Sequence, residues 1–246
     1  MTLFLFPNLL ATEISGRGFF SQKMIDACGI IDGLIAEGEK EGRRFLKRFS
    51  LKRRPHEIPI ALLNEHTRSD EIPFLLQPME KGENWGLISD CGLPCIADPG
   101  ALLVRQAQEK GIGIQIFPGL SSIFMGLMLS GFSGQVFSFF GYLPKEEQKI
   151  VYQLKEMNKR EGVKIFIERP YRNVAIFKLC LQTIRPDAEL CVATDLTLPS
   201  QKVTRHTITK WRELPIPDIH KKPTIFLFSS HSPLIVKTGS NFLRVD

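Results

Sequence analysis

The chain reads as an α/β protein of two α/β domains. Two observations predict this: short β-branched apolar runs alternate with longer helix-period segments almost from end to end, and Pro118-Gly119-Leu120-Ser121-Ser122 interrupts the alternation near the middle. The expected domains are 1–117, with a mainly parallel sheet, and 118–246, with a mixed one. At 246 residues, 43% hydrophobic and 24% charged, the chain has the length and composition for both.

The elements follow in order. The run Leu3–Phe6 meets Pro7 and has no basic flank, so it reads as a first strand and not as a signal peptide. Further strands are expected at Gly33–Glu37, Glu57–Leu62, Trp85–Ser89 and Ile112–Phe117, with helices near Ser21–Ala27, Glu39–Phe49, Thr67–Glu80 and Asp98–Lys110. The last helix has Asp98 as N-cap, Pro99 at its first position and Gly111 as its stop. Behind Pro118–Ser122 a small-residue helix begins, and its apolar stretch Ile123–Leu129 suits either a core or an interface. The second half offers strands at Val136–Gly141, Val163–Glu168, Glu189–Thr194, Lys202–Ile208 and Thr224–Ser229. Only the turn Thr197–Gln201 separates the third from the fourth, which predicts a hairpin and hence the mixed sheet. After His231 the tail reads as an irregular end.

Composition narrows the setting. No apolar run approaches the roughly 18 residues of a membrane span, and a cytoplasmic location is expected. Cys28, Cys91, Cys95, Cys180 and Cys191 are scattered and lack metal-ligand spacing, so they read as reduced structural thiols with no metal. The net charge of +6 is uneven. Arg43, Arg44, Lys47, Arg48, Lys52, Arg53 and Arg54 fall in twelve positions without an acid, which fits a phosphate-binding track or a solvated helix face followed by a loop.

Several familiar sites are absent. There is no G-x-x-x-x-G-K-[ST], no H-E-x-x-H and no G-x-G-x-x-G after a strand, while Gly131-Phe132-Ser133-Gly134 is one residue short of a nucleophile elbow. The stretch Leu87–Gly100 stands apart. Gly92 permits close backbone approach, Pro94 and Pro99 stiffen the chain, and a helix N-terminus follows. By local physics it is either a rigid connection or a ligand cradle at the carboxyl end of a strand. The hydroxyls of Pro118–Ser122 leave the same choice between capping a helix and facing a ligand.

Together the two segments resemble the tetrapyrrole-methylase superfamily of S-adenosylmethionine-dependent methyltransferases. The closer likeness is to its branch that methylates a cytidine ribose 2′-oxygen in small-subunit ribosomal RNA. The family's S-D-A-G-T-P-L-I-x-D-P-G is similar to Ser89–Gly100, its P-G-x-S-S to Pro118–Ser122, and its G-F-L-P to Gly141-Tyr142-Leu143-Pro144. Its R-E-L-T is similar to Thr194-Asp195-Leu196-Thr197 and its Y-E-S, loosely, to Phe166-Ile167-Glu168-Arg169. Two motifs depart: A-E-D-T-R stands as Ala36-Glu37-Gly38-Glu39-Lys40, and P-T-P-I-G-N-L has shrunk to Pro7-Asn8-Leu9.

The resemblance implies the tetrapyrrole-methylase (class III methyltransferase) fold, with S-adenosylmethionine in a cleft between the domains. Its implied contacts are Ser89, Asp90, Cys91, Gly92, Pro94, Ile96, Ala97, Asp98, Ser121, Ser122, Phe166, Glu168, Thr194, Pro223 and Thr224. Glu37 is the candidate catalytic base or orienter, the other reading being that it simply caps or pairs with Arg43 or Lys40. Asp90 has its own alternative as an N-cap or loop acceptor. Lys40, Arg43, Arg44 and Lys47 are candidate substrate contacts. The implied partners are RNA, most specifically small-subunit ribosomal RNA, and a second copy in a homodimer. The competing functions are methylation of a tetrapyrrole or other small molecule, and cofactor binding without catalysis.

Overall fold

A computed structural model describes residues 1–11 and 17–230. The expected irregular end after His231 lies outside them. The chain divides into two compact units: Met1–Met125 with Thr197–Pro199, and Gly126–Leu196 with the described residues from Ser200 on.

The first unit holds β1 (Thr2–Leu5), α1 (Gln22–Gly29), β2 (Gly33–Ala36), α2 (Glu39–Leu46), β3 (Ile60–Leu62), α3 (Ile72–Glu80), β4 (Asn84–Leu87), α4 (Gly100–Glu109) and β5 (Gly113–Ile116). Its five strands form one sheet in the order β3-β2-β4-β1-β5, every pairing parallel. Because β1 lies inside the sheet with helices packed against both of its faces, its run is unbroken and apolar. Phe4 and Phe6 point to one face, joining Phe20, Phe45, Phe49 and Phe117 in an aromatic core under α1 and α2. Leu3 and Leu5 point to the other, against Leu76 and Met79 of α3 and Leu103 and Ala107 of α4.

The expected elements are present, with shifted ends. The helix expected from Thr67 starts at Ile72, since Asn64 and Thr67 close a turn through Asn64 N–H to Thr67 Oγ1 (3.0 Å) and Pro73 suits only a first turn. The strand expected from Glu57 starts at Ile60, because Glu57 is tied back to Arg54 in a turn and Pro59 has no N–H to give a ladder. The α4 helix begins at Gly100 with Pro99, not Asp98, in the N-cap position.

The second unit holds β6 (Phe137–Tyr142), α6 (Glu147–Asn158), β7 (Val163–Ile167), α7 (Asn173–Thr183), β8 (Glu189–Thr194), β9 (Lys202–Thr207), α8 (Ile208–Glu213) and β10 (Thr224–Ser229). Its sheet runs β6-β7-β10-β8-β9, with β6 parallel to β7 and the remaining pairings antiparallel, so it is mixed as expected. The β8–β9 hairpin is the one the short turn predicts. Phe166 and Phe226 stack at 5.2 Å, and the Trp211 ring donates its N–H to the Leu190 carbonyl at 2.8 Å. The remaining helix, α5 (Ser122–Ser130), contains the division between the units.

Tight packing in the first sheet gives a direct check. A Cβ on Gly33 would lie 2.4 Å from the Trp85 ring, whose N–H is already held by Glu83. Gly33→Ala is expected to cost ~1–3 kcal/mol by overpacking, read as a lower urea midpoint. An unchanged midpoint would mean that the indole is not locked in place.

Candidate functional site

In a wholly parallel sheet the carboxyl ends of all strands share one edge, and the loops leaving them converge there. In the first unit these are Pro7-Asn8 after β1, Glu37 after β2, Asn64 beyond β3, Ser89–Asp98 after β4 and Pro118–Ser122 after β5.

Hydrogen bonds tie these loops together. Buried Asn8 donates its side-chain N–H groups to the Ser89 and Asp90 carbonyls, both at 3.0 Å, and its backbone N–H to the Gly92 carbonyl at 2.7 Å. The Asp90 N–H donates to Glu37 Oε1 at 2.9 Å, and Asn64 Nδ2 donates to the Glu37 carbonyl at 3.1 Å. Ser89 turns its hydroxyl inward to the Cys91 carbonyl at 3.0 Å. Gly119 faces Pro7 so closely that a Cβ there would sit 2.0 Å from the proline Cβ.

The Ser89–Asp98 loop is held in an unfavourable conformation. Gly92 has φ 74°, which glycine tolerates, but Cys95 (φ 69°) and Ala97 (φ 65°) also lie in the left-handed region, at ~1–2 kcal/mol each. Asp98 compensates. Its Oδ1 accepts the N–H groups of Cys95 (3.0 Å) and Gly100 (2.8 Å). Asp98 Oδ2 is buried and has no partner among the described residues. Pro94 is buried, while Ile96 and Ala97 are exposed.

Three carboxyls gather here, and all are held above the ordinary carboxylate range. Desolvation is the main cause for Glu37, Asp90 and Asp98; the charges of Asp90 and Asp98 add to it at Glu37, and that of Glu41 at Asp90. The N–H bonds to Glu37 and Asp98 offset part of the shift. Desolvation and then the neighbouring carboxylates push the Cys91 thiol up to about 11 and Cys95 to about 12, so neither is a thiolate nucleophile at neutral pH. No group of potential metal ligands occurs among the described residues.

Glu37 pairs with neither Arg43 nor Lys40. Arg43 reaches Glu39 (3.4 Å) and the carbonyls of Pro55 (2.7 Å) and Ile58 (2.5 Å), and Arg44 pairs with Glu41 at 2.6 Å. Arg48 donates to Asn8 Oδ1 at 3.1 Å and Arg53 to the Asp32 carbonyl at 2.6 Å. Lys40, Lys47, Lys52 and Arg54 remain exposed to solvent. The basic run thus serves two ends, with several guanidinium groups bracing the unit and the lysines facing outward. Ser121 and Ser122 are half-buried; the Ser121 carbonyl takes the Met125 N–H and Ser122 opens α5.

In the second unit, Phe166, Glu168, Thr194, Pro223 and Thr224 lie at neighbouring strand ends on one sheet edge. The Phe166 ring is fully buried in the core, so only its backbone faces the ladder. Glu168 is buried, accepts the Arg169 N–H at 2.8 Å and lies 3.4 Å from Arg172, which also donates to the Pro144 carbonyl at 2.7 Å. Burial raises its pKa and these neighbours offset part of the rise. Thr194 and Thr224 are cross-strand partners with hydroxyls 3.4 Å apart, and the Asp195 N–H donates to the Pro223 carbonyl at 2.9 Å. Sequence reasoning passed over Asn8, Asn64 and Arg172 as bracing residues. Their one local signal is a polar residue shortly after an apolar strand.

A family model described as Tetrapyrrole (Corrin/Porphyrin) Methylases matches residues 22–211. The chain belongs to this family. A tetrapyrrole methylase by family, it is a methyltransferase dependent on S-adenosylmethionine. Among curated relatives, the ribosomal RNA small subunit methyltransferase I of Haemophilus influenzae is 26% identical over 205 residues, 83% of this chain and 71% of that protein. Its namesake from Thermotoga maritima is 29% identical over 180 residues, 73% of this chain and 78% of that protein. Solved structures share the methylase fold. A diphthine synthase has TM-score 0.63 at 15% identity, covering 93% of this chain and 89% of its own. A uroporphyrin-III-C-methyltransferase from Thermus thermophilus has TM-score 0.59 at 12% identity, covering 93% and 94%.

The raised carboxyls of this methylase make its stability depend on pH. A carboxyl with a folded pKa above its unfolded value of ~4 holds its proton longer in the folded state. Its contribution is therefore complete below the unfolded value and is lost as pH rises through the folded one. Glu37→Gln retains an Oε1 acceptor for the Asp90 N–H and removes the charge. The variant is expected to match or exceed the parent in urea unfolding at pH 7 and to lose that advantage towards pH 4. A variant less stable at pH 7 than at pH 4, relative to the parent, would contradict this electrostatic picture.

Proposed function

We propose that this methyltransferase acts on small-subunit ribosomal RNA, at the ribose 2′-hydroxyl of a cytidine. The observation that carries the reading is a conjunction within the first unit: a strained, carboxylate-lined loop beside Glu37, and a basic stretch, from α2 into the loop after it, that turns Lys40, Lys47, Lys52 and Arg54 to solvent. The names of the curated relatives support the RNA acceptor.

The residues fit the cofactor. S-adenosylmethionine supplies a methyl group already activated on a sulfonium, so the protein is left with binding, alignment and exclusion of water. Ser89, Asp90, Cys91, Gly92, Pro94, Ile96, Ala97 and Asp98, with Ser121 and Ser122, would hold it. The carboxylates of the loop complement a cationic ligand. The unpartnered Asp98 Oδ2 is an acceptor in want of a donor. Glu37 takes the proton from the acceptor hydroxyl. Desolvation makes it a stronger base than an ordinary carboxylate, and the Asp90 N–H fixes its orientation. Lys40 and Lys47 attract the phosphate backbone by charge, and Arg43 and Arg44 support them from within the segment.

The proposed acceptor implies a cytoplasmic setting. No helix among the described residues is long and apolar enough to cross a membrane. A homodimer is part of the proposal, supported by the outward Phe124 and Met128 of α5, which are 54% and 81% exposed.

The test is transfer of label from methyl-labelled S-adenosylmethionine to small-subunit RNA, followed by nucleoside digestion. Label is expected in a 2′-O-methylcytidine, and Glu37→Gln is expected to lower kcat by ~10²–10⁴-fold, the usual worth of a general base. Label confined to a tetrapyrrole would overturn the RNA acceptor, and an undiminished kcat would remove Glu37 from the chemistry.

A further inference from the structure

Asn8 belongs to the remnant of the first-strand motif, yet every polar position of its side chain is used. An amide offers two N–H donors and a carbonyl with two lone pairs. Here Nδ2 donates to the Ser89 and Asp90 carbonyls, both at 3.0 Å, while Oδ1 accepts the Leu9 N–H at 2.9 Å and Arg48 Nη1 at 3.1 Å. The two donors on Oδ1 settle which way the amide faces, because the reversed amide would set N–H against N–H on one side and oxygen against carbonyl on the other. With the backbone N–H on the Gly92 carbonyl at 2.7 Å, one buried residue defines the turn from Ser89 to Gly92.

We propose that Asn8 is a positioning residue for methyl transfer: it sets the path of the cofactor loop, and Arg48 positions the Asn8 amide. The inference rests on the reading of Ser89–Asp98 as the S-adenosylmethionine loop. It also gives Arg48 a duty apart from the outward lysines of the same basic run. Geometry makes the position selective for asparagine. Aspartate has the same shape but no donors, so it would turn a carboxylate oxygen towards two carbonyl oxygens. Alanine would leave both carbonyls and the Arg48 guanidinium without this partner.

The experiment is calorimetric titration of S-adenosylmethionine into the full chain and its Asn8→Asp and Arg48→Gln variants, with steady-state KM values for cofactor and RNA. Asn8→Asp is expected to raise the cofactor Kd and KM about tenfold or more, and Arg48→Gln about threefold, with KM for RNA within about twofold of the parent. If Asn8→Asp does not fold, Arg48→Gln carries the test alone. A lower melting temperature with an unchanged cofactor Kd would show a purely structural role and overturn the proposal. So would a rise in KM for RNA alone in Arg48→Gln, which would assign that arginine to the acceptor. A parent chain that binds no S-adenosylmethionine would instead defeat the loop reading on which the proposal rests.

Discussion

The structure of the first unit depends on how one sheet edge is closed. Parallel strands deliver all their carboxyl ends to the same side, and the loops that leave them cannot satisfy one another through a ladder. Here two side chains supply what the ladder cannot: Asn8 holds three carbonyls of the β4 loop, two through its side chain and one through its backbone, and Glu37 holds that loop's Asp90 N–H. These bonds set the turn from Ser89 to Gly92. Gly119 packs closely against Pro7, which brings the β5 loop to the same edge.

Strain and charge then combine at one place. Left-handed Cys95 and Ala97 persist because Asp98 fixes the amides around them. The accompanying desolvation raises Glu37, Asp90 and Asp98 together, and a like charge nearby adds to it at Glu37 and Asp90. A cluster of this kind is costly when empty and favourable opposite a cation. Perturbed carboxyls concentrated on one loop edge are a physical pointer to function, independent of any relative's name.

Much of this was legible in the sequence. The β1 run showed itself because both of its faces are buried, and the Ser89–Gly100 and Pro118–Ser122 turns because Gly and Pro are confined to such places. Other features depend on tertiary partners. The direction of the Asn8 amide is set by Arg48, and Glu37 is oriented by a backbone N–H on a different strand's loop, neither of which has a local signature. Arg43 sits in a basic run that resembles a phosphate track, yet its guanidinium is turned to the Pro55 and Ile58 carbonyls by the chain's return path. In the second unit, α7 escaped notice because its near-continuous apolar stretch reads equally well as a buried strand. The spacing of Ile150, Leu154 and Met157 was a usable signal for α6.

The central claim is that the Ser89–Asp98 loop is a preformed S-adenosylmethionine cradle. Amide hydrogen exchange with and without the cofactor tests it most directly. The Asp90, Cys95 and Gly100 amides are predicted to exchange slowly in the free protein, because Glu37 and Asp98 already bond them, and neighbouring amides of the loop are predicted to gain protection when cofactor is added. Fast exchange throughout the loop, unchanged by saturating S-adenosylmethionine, would contradict the account.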